Sequence, residues 1–443
     1  MVGTKANTKT NSWRNWAGNS RCEPDLVLEP RSRFEVVEIV RRAAAAGQRV
    51  KVVGAGHSFT AIACTDGVLL HLDHLDRVVD VDPVRRRVTV EAGITLHRLQ
   101  IELWDRGYAL ANLGDIDKQS IAGATSTSTH GTGAKLPGIA HFIVGLELVT
   151  GDGTVVSCSA DEHPELFHCA RVGLGALGIV TQVTLQCVPA FHLHAHEYPA
   201  PLDTVLAGLP ESAEAHDHFE FYWFPHTESC LVKENNRTDA PVQVRSRGKA
   251  WFDDVVLANY ALGSICSVGK RIPSAVPKLS QLTATQLGEL DVVDRSYRVF
   301  CSPRLVRFVE MEYAVPRAAL TDALLDIRKV IEREDLKVSF PIEVRVAAAD
   351  DIPLSTGSGR DSAYLAVHMH KGVPFETYFR AVEEVMNGYE GRPHWGKMHY
   401  QDAASLAPRY PQWDRFQAVR RECDPAGRFT NDYLDRVLGP VSG

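Results

Sequence analysis

In the stretch Pro341-Ile342-Glu343-Val344-Arg345, a carboxylate and a guanidinium stand two residues apart, with apolar residues between them. On a strand that spacing puts Glu343 and Arg345 on one face and Ile342 and Val344 on the other. His368 and His370 repeat the same spacing. The run His394-Trp395-Gly396-Lys397-Met398-His399 adds an ammonium flanked by imidazoles. A carboxylate can orient hydroxyl groups, cations can stabilise developing negative charge, and an imidazole can exchange a proton near neutral pH. Together these groups suit the oxidation of an alcohol. Taken singly, each is as readily a structural ion pair, and a Glu–Arg pair in solvent contributes little.

The glycines point to what would receive the electrons. Val53-Gly54-Ala55-Gly56-His57-Ser58-Phe59 reads as a strand running into a loop of small residues, where backbone N–H groups can close on a pyrophosphate. Ser120 to Gly133, SIAGATSTSTHGTG, is too polar for a core strand and too poor in charge for a solvated loop. It reads as a backbone that wraps a ligand with many oxygens. Two such loops in one half of the chain indicate a large phosphate-bearing cofactor. Gly173 to Gly178 is a literal G-x-G-x-x-G, but a helical pattern precedes it and a strand pattern follows. The dinucleotide fingerprint needs the reverse order, so it reads as a tight turn. His192, His194 and His196 alternate on one strand face without a carboxylate or Cys at ligand spacing, and no metal is assigned.

The elements that must position these groups alternate in the first half. The pattern predicts helices over 32–46 and 95–106, strands over 49–53, 68–72, 78–81, 87–91 and 179–188, and a hairpin of 142–150 with 154–159 around Gly151-Asp152-Gly153. Beyond residue 190 the spacers lengthen, and the polar run Asn235 to Arg247 reads as a surface loop. The expected division is 1–190, 191–400 and a C-terminal segment 401–443. The chain has 443 residues, 44% of them hydrophobic, enough for about two to three domains. Its formal charge of −7 and lack of Lys/Arg runs argue against nucleic acid. No apolar stretch approaches the roughly 20 residues of a membrane helix. Nine scattered cysteines, an odd number with no C-x-x-C, point to reduced thiols in a cytoplasmic setting.

The segments Asn15-Trp16-Ala17-Gly18, Gly54 to Phe59, Ser128-Thr129-His130-Gly131-Thr132-Gly133, Gly175 to Thr181, Glu343-Val344-Arg345, His394 to Lys397 and Asp424-Pro425-Ala426-Gly427-Arg428-Phe429 resemble, as an ordered set, the vanillyl-alcohol oxidase family of flavoproteins. Within it they are most similar to the sugar-1,4-lactone oxidases and dehydrogenases, with alditol oxidases as relatives. The resemblance implies an α+β fold: a two-lobed FAD-binding domain, then a cap domain with an antiparallel sheet flanked by helices, then a tail returning to the FAD side. It implies FAD held by Val53 to Phe59, by Gly114 and Asp115, by Ser120, Gly123, Ser126, Thr129, His130, Gly131 and Gly133, by Gly178, Ile179 and Val180, and by Lys397. His57 occupies the position that commonly carries the flavin covalently. Glu343, Arg345, Lys397 and His368 inherit the catalytic roles, with Lys397 and Arg345 as the cations. Gly114 stands where a small residue governs oxygen access, which favours O2 over another electron acceptor. Asp115 replaces a serine typical of alditol oxidases, which favours a lactone substrate over an open-chain polyol.

Overall fold

The structure is a computed structural model and describes residues 11–243, 262–302 and 306–441. A helix covers Arg33–Ala45, started by Ser32, whose hydroxyl accepts the Glu35 N–H, and ended before Gly47 at φ +70°. Thr95 caps the helix Leu96–Trp104 in the same way, and Gly107 ends its last turn at φ +78°. The strand Ile179–Gln186 buries every second residue, as a half-covered strand must.

These elements build two sheets in the first half. One is parallel, with Val68–His71 between Leu26–Leu28 and Val50–Val53. The other is antiparallel, in the order Val155–Ser159, Ile143–Val149, Ile179–Gln186, Arg87–Glu91, Val78–Asp82. One apolar cluster joins them: Val36, Val40, Val68 and Leu70 meet Val149, Ile179 and Phe429. The polar run 120–133 is not wholly loop. Ser120 caps a short helix, Ile121–Ser126, because its hydroxyl accepts the Gly123 N–H and the following small residues tolerate close packing.

An eight-stranded antiparallel sheet follows. Its order is Leu290–Arg295, His192–Pro201, Ser229–Thr238, His218–Trp223, Ile342–Ala347, Ser362–His370, Phe308–Pro316, Arg392–Pro393. Helices Leu320–Arg333 and Glu376–Asn387 cover one face, where Phe221, Trp223, Met311, Ile342 and Val344 are buried. Asn235 to Thr238 complete the strand Ser229–Thr238, correcting the surface-loop expectation there. Asn235 pairs with Ala195 and His218 and is buried, so its polarity marks a sheet position and not a turn; residues 244–247 lie outside the described residues. His194 and His196 stand on the outer face against Asp291 (2.9 Å) and Glu289 (3.0 Å).

The helices Trp413–Cys423 and Asp432–Leu438 return to the first half, where Phe416, Leu434 and Val437 share a core with Val88, Leu99 and Leu103. The Asn431 amide reaches the carbonyls of Ala61, Ile62 and Cys64. No helix among the described residues is long and apolar enough to cross a membrane.

Candidate active site

A cavity open to solvent, about 1070 Å³ of empty space in all, runs through the first half. Its walls are the strand and loop Val50 to Ser58, the segment from Gln119 to Thr127, the turn with Gly175 and Gly178 to Val180, and Phe429. Of the residues expected to hold a cofactor, Val53 to Ser58, Ser120, Gly123, Ser126, Gly178, Ile179 and Val180 all line it. Phe59 does not; it stacks on Phe308 of the large sheet. Two glycines are required by space and conformation. A Cβ on Gly54 would run into the Ser120 hydroxyl, and Gly56 sits at φ +68° against Trp13 and Asn15. Among the described residues no acceptor meets the backbone N–H groups of Ala55 to Ser58. A loop stripped of side chains with free N–H groups fits a dinucleotide pyrophosphate. His57 stacks on Trp16 at 5.4 Å, and burial together with the charges of Lys397 and Lys118 pulls its imidazole down to about 4.

A second cavity of about 920 Å³ shares Gln119 with the first and lies against the polar face of the large sheet. Gly114, Asp115, Thr129, His130, Glu343, Arg345, His368 and Lys397 all line it, so the four residues expected to do chemistry converge here. Gly131 and Gly133 line neither cavity. Gly131 packs on Asn112 and Leu113, and the Gly133 N–H is bonded to the Val346 carbonyl at 2.8 Å.

The pairing register explains the convergence. Glu220 lies opposite Arg345, Tyr222 opposite Glu343, and Glu310 opposite His368. Every residue in these pairs faces away from the helices. Arg345 bonds Glu220 through Nε at 2.7 Å and Glu343 through Nη2, and Tyr222 donates to Glu343 at 3.1 Å. Burial pushes the Glu220 carboxyl up, but Arg345 and Lys233 outweigh it and hold it at about 2. Burial pulls the Arg345 guanidinium down, but Glu343, Glu220 and Asp115 hold it above its ordinary value.

The second group is centred on Lys397. Its ammonium is ion-paired with Glu310, whose other oxygen stands 3.5 Å from His368 Nε2. Burial pulls the Lys397 ammonium down, but Glu310 and Glu312 raise it above the ordinary lysine value. Glu312 accepts from His130 at 3.1 Å, and the His130 ring stacks on Tyr364 at 3.5 Å.

Glu220, Glu310 and Glu312 are site residues that the sequence motifs above do not include. Their signal was present, since His218–Trp223 and Phe308–Pro316 alternate apolar and polar residues just as 341–345 does. Glu343 and Arg345 are 7% and 8% exposed, so the reading as a solvated surface pair does not hold.

The chain matches the D-arabinono-1,4-lactone oxidase family over residues 183–437 and an FAD binding domain over residues 24–159. It is 47% identical to an L-gulono-1,4-lactone dehydrogenase of Mycobacterium tuberculosis, covering 97% of this chain and 99% of that one. The chain belongs to the D-arabinono-1,4-lactone oxidase family. It is also 37% identical to the L-gulonolactone oxidase of Bos taurus, covering 96% of this chain and 98% of that one. The backbone also matches a solvent-stable cholesterol oxidase with a TM-score of 0.81, covering 97% of this chain and 98% of that one; at 18% identity this speaks for the fold alone. The expected α+β architecture holds, and the family assignment makes the chain an FAD-dependent oxidoreductase.

Proposed function

We propose that the chain oxidises a sugar-1,4-lactone, L-gulono-1,4-lactone or a close relative, at a secondary alcohol carbon. The observation that carries this reading is the abutment of a cofactor-sized cavity and a chamber walled by Glu310, Glu343, Arg345, His368 and Lys397. FAD, when bound in the first cavity, supplies the acceptor for a hydride leaving the carbinol carbon. The residues of this chain do the rest. Glu343, fixed by Arg345 and Tyr222, orients ring hydroxyls. His368, turned by Glu310, receives the proton that the reacting hydroxyl gives up as its carbon becomes a ketone. Lys397, kept charged by its carboxylates, stabilises the negative charge that arrives with the hydride. Arg345 acts mainly by holding Glu220 and Glu343 in place. Relatives named for gulonolactone and arabinonolactone favour a lactone over an alditol.

His57 is the proposed covalent link to the cofactor. It lines the cofactor cavity and is held neutral, and the neutral imidazole is the nucleophilic form. Gly114 leaves space for O2, which favours an oxidase that forms hydrogen peroxide. The relative at 47% identity is named a dehydrogenase, and this supports a second reading in which another electron acceptor takes the place of O2. We assign residues 1–190 to the FAD domain, 191–400 to the cap and 401–443 to the returning tail. A cytoplasmic setting suits the nine cysteines, all free thiols.

The test is an absorption spectrum of the purified protein before and after acid precipitation, followed by anaerobic addition of L-gulono-1,4-lactone or xylitol. Flavin colour that stays with the precipitate and is bleached by the lactone is the expected result. Bleaching by xylitol alone would replace the lactone with a polyol, and release of the colour into the supernatant would remove the covalent role of His57.

A further inference from the structure

His394 sits in the turn that follows the edge strand Arg392–Pro393, fixed at three backbone points. Its N–H donates to the Glu312 carbonyl at 3.0 Å, its carbonyl accepts the Lys397 N–H at 2.9 Å, and Met398 N–H donates to the Glu310 carbonyl at 2.9 Å. The imidazole is fixed as well. Nδ1 accepts the Gly396 N–H at 3.0 Å, so the neutral ring must carry its proton on Nε2. Burial and the nearby Lys397 hold the ring neutral, pulling it down to about 3 against the opposing pull of Glu312. Among the described residues the one hydrogen bond to the ring is that from the Gly396 N–H, and the ring lines the substrate chamber.

Several other donors in that chamber already make a bond to a protein oxygen. Arg345 faces Glu220 and Glu343, Tyr222 faces Glu343, Lys397 faces Glu310, and His130 faces Glu312. Among the described residues the chamber's lining carries Asp115, Glu310, Glu312 and Glu343 against Arg345 and Lys397. An anionic ligand oxygen is disfavoured there, while a neutral carbonyl oxygen, which only accepts, suits a neutral N–H.

We propose that His394 is a substrate-binding residue whose Nε2–H donates to the carbonyl oxygen of the intact lactone ring. This rests on the aldonolactone reading above. It explains how a chamber rich in carboxylates grips an uncharged lactone and turns away the ring-opened aldonate, which carries a carboxylate in place of that carbonyl.

The experiment compares wild type, His394→Leu and His394→Gln with three compounds: L-gulono-1,4-lactone, its 2-deoxy analogue, and the 1,4-anhydroalditol that has the same ring without the carbonyl. Wild-type turnover of the lactone is measured first, and its absence would remove the aldonolactone reading and this assignment together. With turnover present, His394→Leu should raise KM for the lactone and Kd for the 2-deoxy lactone about tenfold or more, because a carbonyl loses its donor. Its Kd for the anhydroalditol and its bound-flavin spectrum should stay as in wild type. His394→Gln, which can again present an N–H, should recover most of the loss. Equal weakening of carbonyl and carbonyl-free ligands, or an altered flavin spectrum in both variants, would assign His394 to the cofactor or to the fold and overturn the proposal.

Discussion

The Phe59 N–H donates to the Gly396 carbonyl at 2.6 Å. This bond joins the end of the glycine loop that carries His57 to the turn that carries His394 and Lys397. The Lys397 ammonium lies 5.4 Å over the Phe59 ring, so the link is backed by a cation–π contact. The distance between the cofactor loop and the turn that carries Lys397 is thus set by backbone.

Gly396→Ala tests that coupling. A Cβ there would stand 3.2 Å from the Ser58 hydroxyl and 3.3 Å from the His394 ring, closer than ordinary contact. The turn must shift by a few tenths of an ångström against the loop. Misplacement on the scale of 1 Å costs about a hundredfold in rate. We expect flavin reduction by the lactone to slow about tenfold while the FAD-to-protein ratio stays near that of wild type, as read by rapid mixing and absorbance. An unchanged rate would show that the turn adjusts freely.

Lys397→Met should add a pH dependence that arises from Glu310. Burial alone pushes Glu310 up; Lys397 and His368 outweigh it and hold the carboxyl below its ordinary value. Without the ammonium, the Glu310 pKa rises. Flavin reduction should then fall as the pH drops through the new value, with a slower plateau on the alkaline side. A rate profile parallel to wild type would mean that Lys397 does not set the charge of Glu310.

How much of this was legible differs from element to element. The helix Arg33–Ala45 and the strand Arg87–Glu91 were readable because caps and alternation are local signals. Glu343 and Arg345 were readable as one face of a strand, and His57 as a loop residue. Their partners were not. Glu220 lies 125 residues from Arg345 in the chain, and only the sheet register brings it within 2.7 Å. The Ser120 cap is not legible because its helix is six residues of small side chains with no apolar stripe. Phe59, Gly131 and Gly133 belong to motifs that surround the cofactor cavity, yet Phe59 and Gly133 serve the packing between the two halves of the molecule and Gly131 packs within the first.

The buried carboxylates make stability pH-dependent with a definite sign. The Glu220 carboxyl is held at about 2 in the folded chain, whereas an exposed glutamate titrates near 4.3. A depressed value contributes stability that is complete above the unfolded pKa and is lost as pH falls toward the folded one. We expect this contribution to fade between about pH 4.5 and pH 2. Arg345→Met strands Glu220 and Glu343, and removing one partner of a buried pair costs about 3–5 kcal/mol. Urea unfolding of the variant at neutral pH should show a loss of that order, and the loss should shrink toward pH 4 as the stranded carboxyls take up protons. A variant as stable as wild type would show that Tyr222 and Lys233 suffice to hold the carboxylates.

Gly114→Ala separates reduction from reoxidation. The added Cβ would lie 3.1 Å from the His130 carbonyl and 3.5 Å from Thr129, within the wall of the substrate chamber. The loop has little room to retreat, because the Ser302 N–H is bonded to the Asp115 carbonyl at 3.1 Å and the Cys301 thiol to the Gly114 carbonyl at 3.4 Å. Burial keeps that thiol protonated, at about 12, so it remains a donor. The methyl group therefore fills the space that Gly114 leaves open. Under the oxidase reading, turnover with O2 should fall about tenfold or more, while anaerobic reduction by the lactone and turnover with an artificial one-electron acceptor stay close to wild type. An oxygen electrode and a dye assay on the same preparation check both. If wild type is itself slow with O2 and fast with the dye, and the alanine variant does not differ, then the glycine does not govern the acceptor and the dehydrogenase reading takes its place.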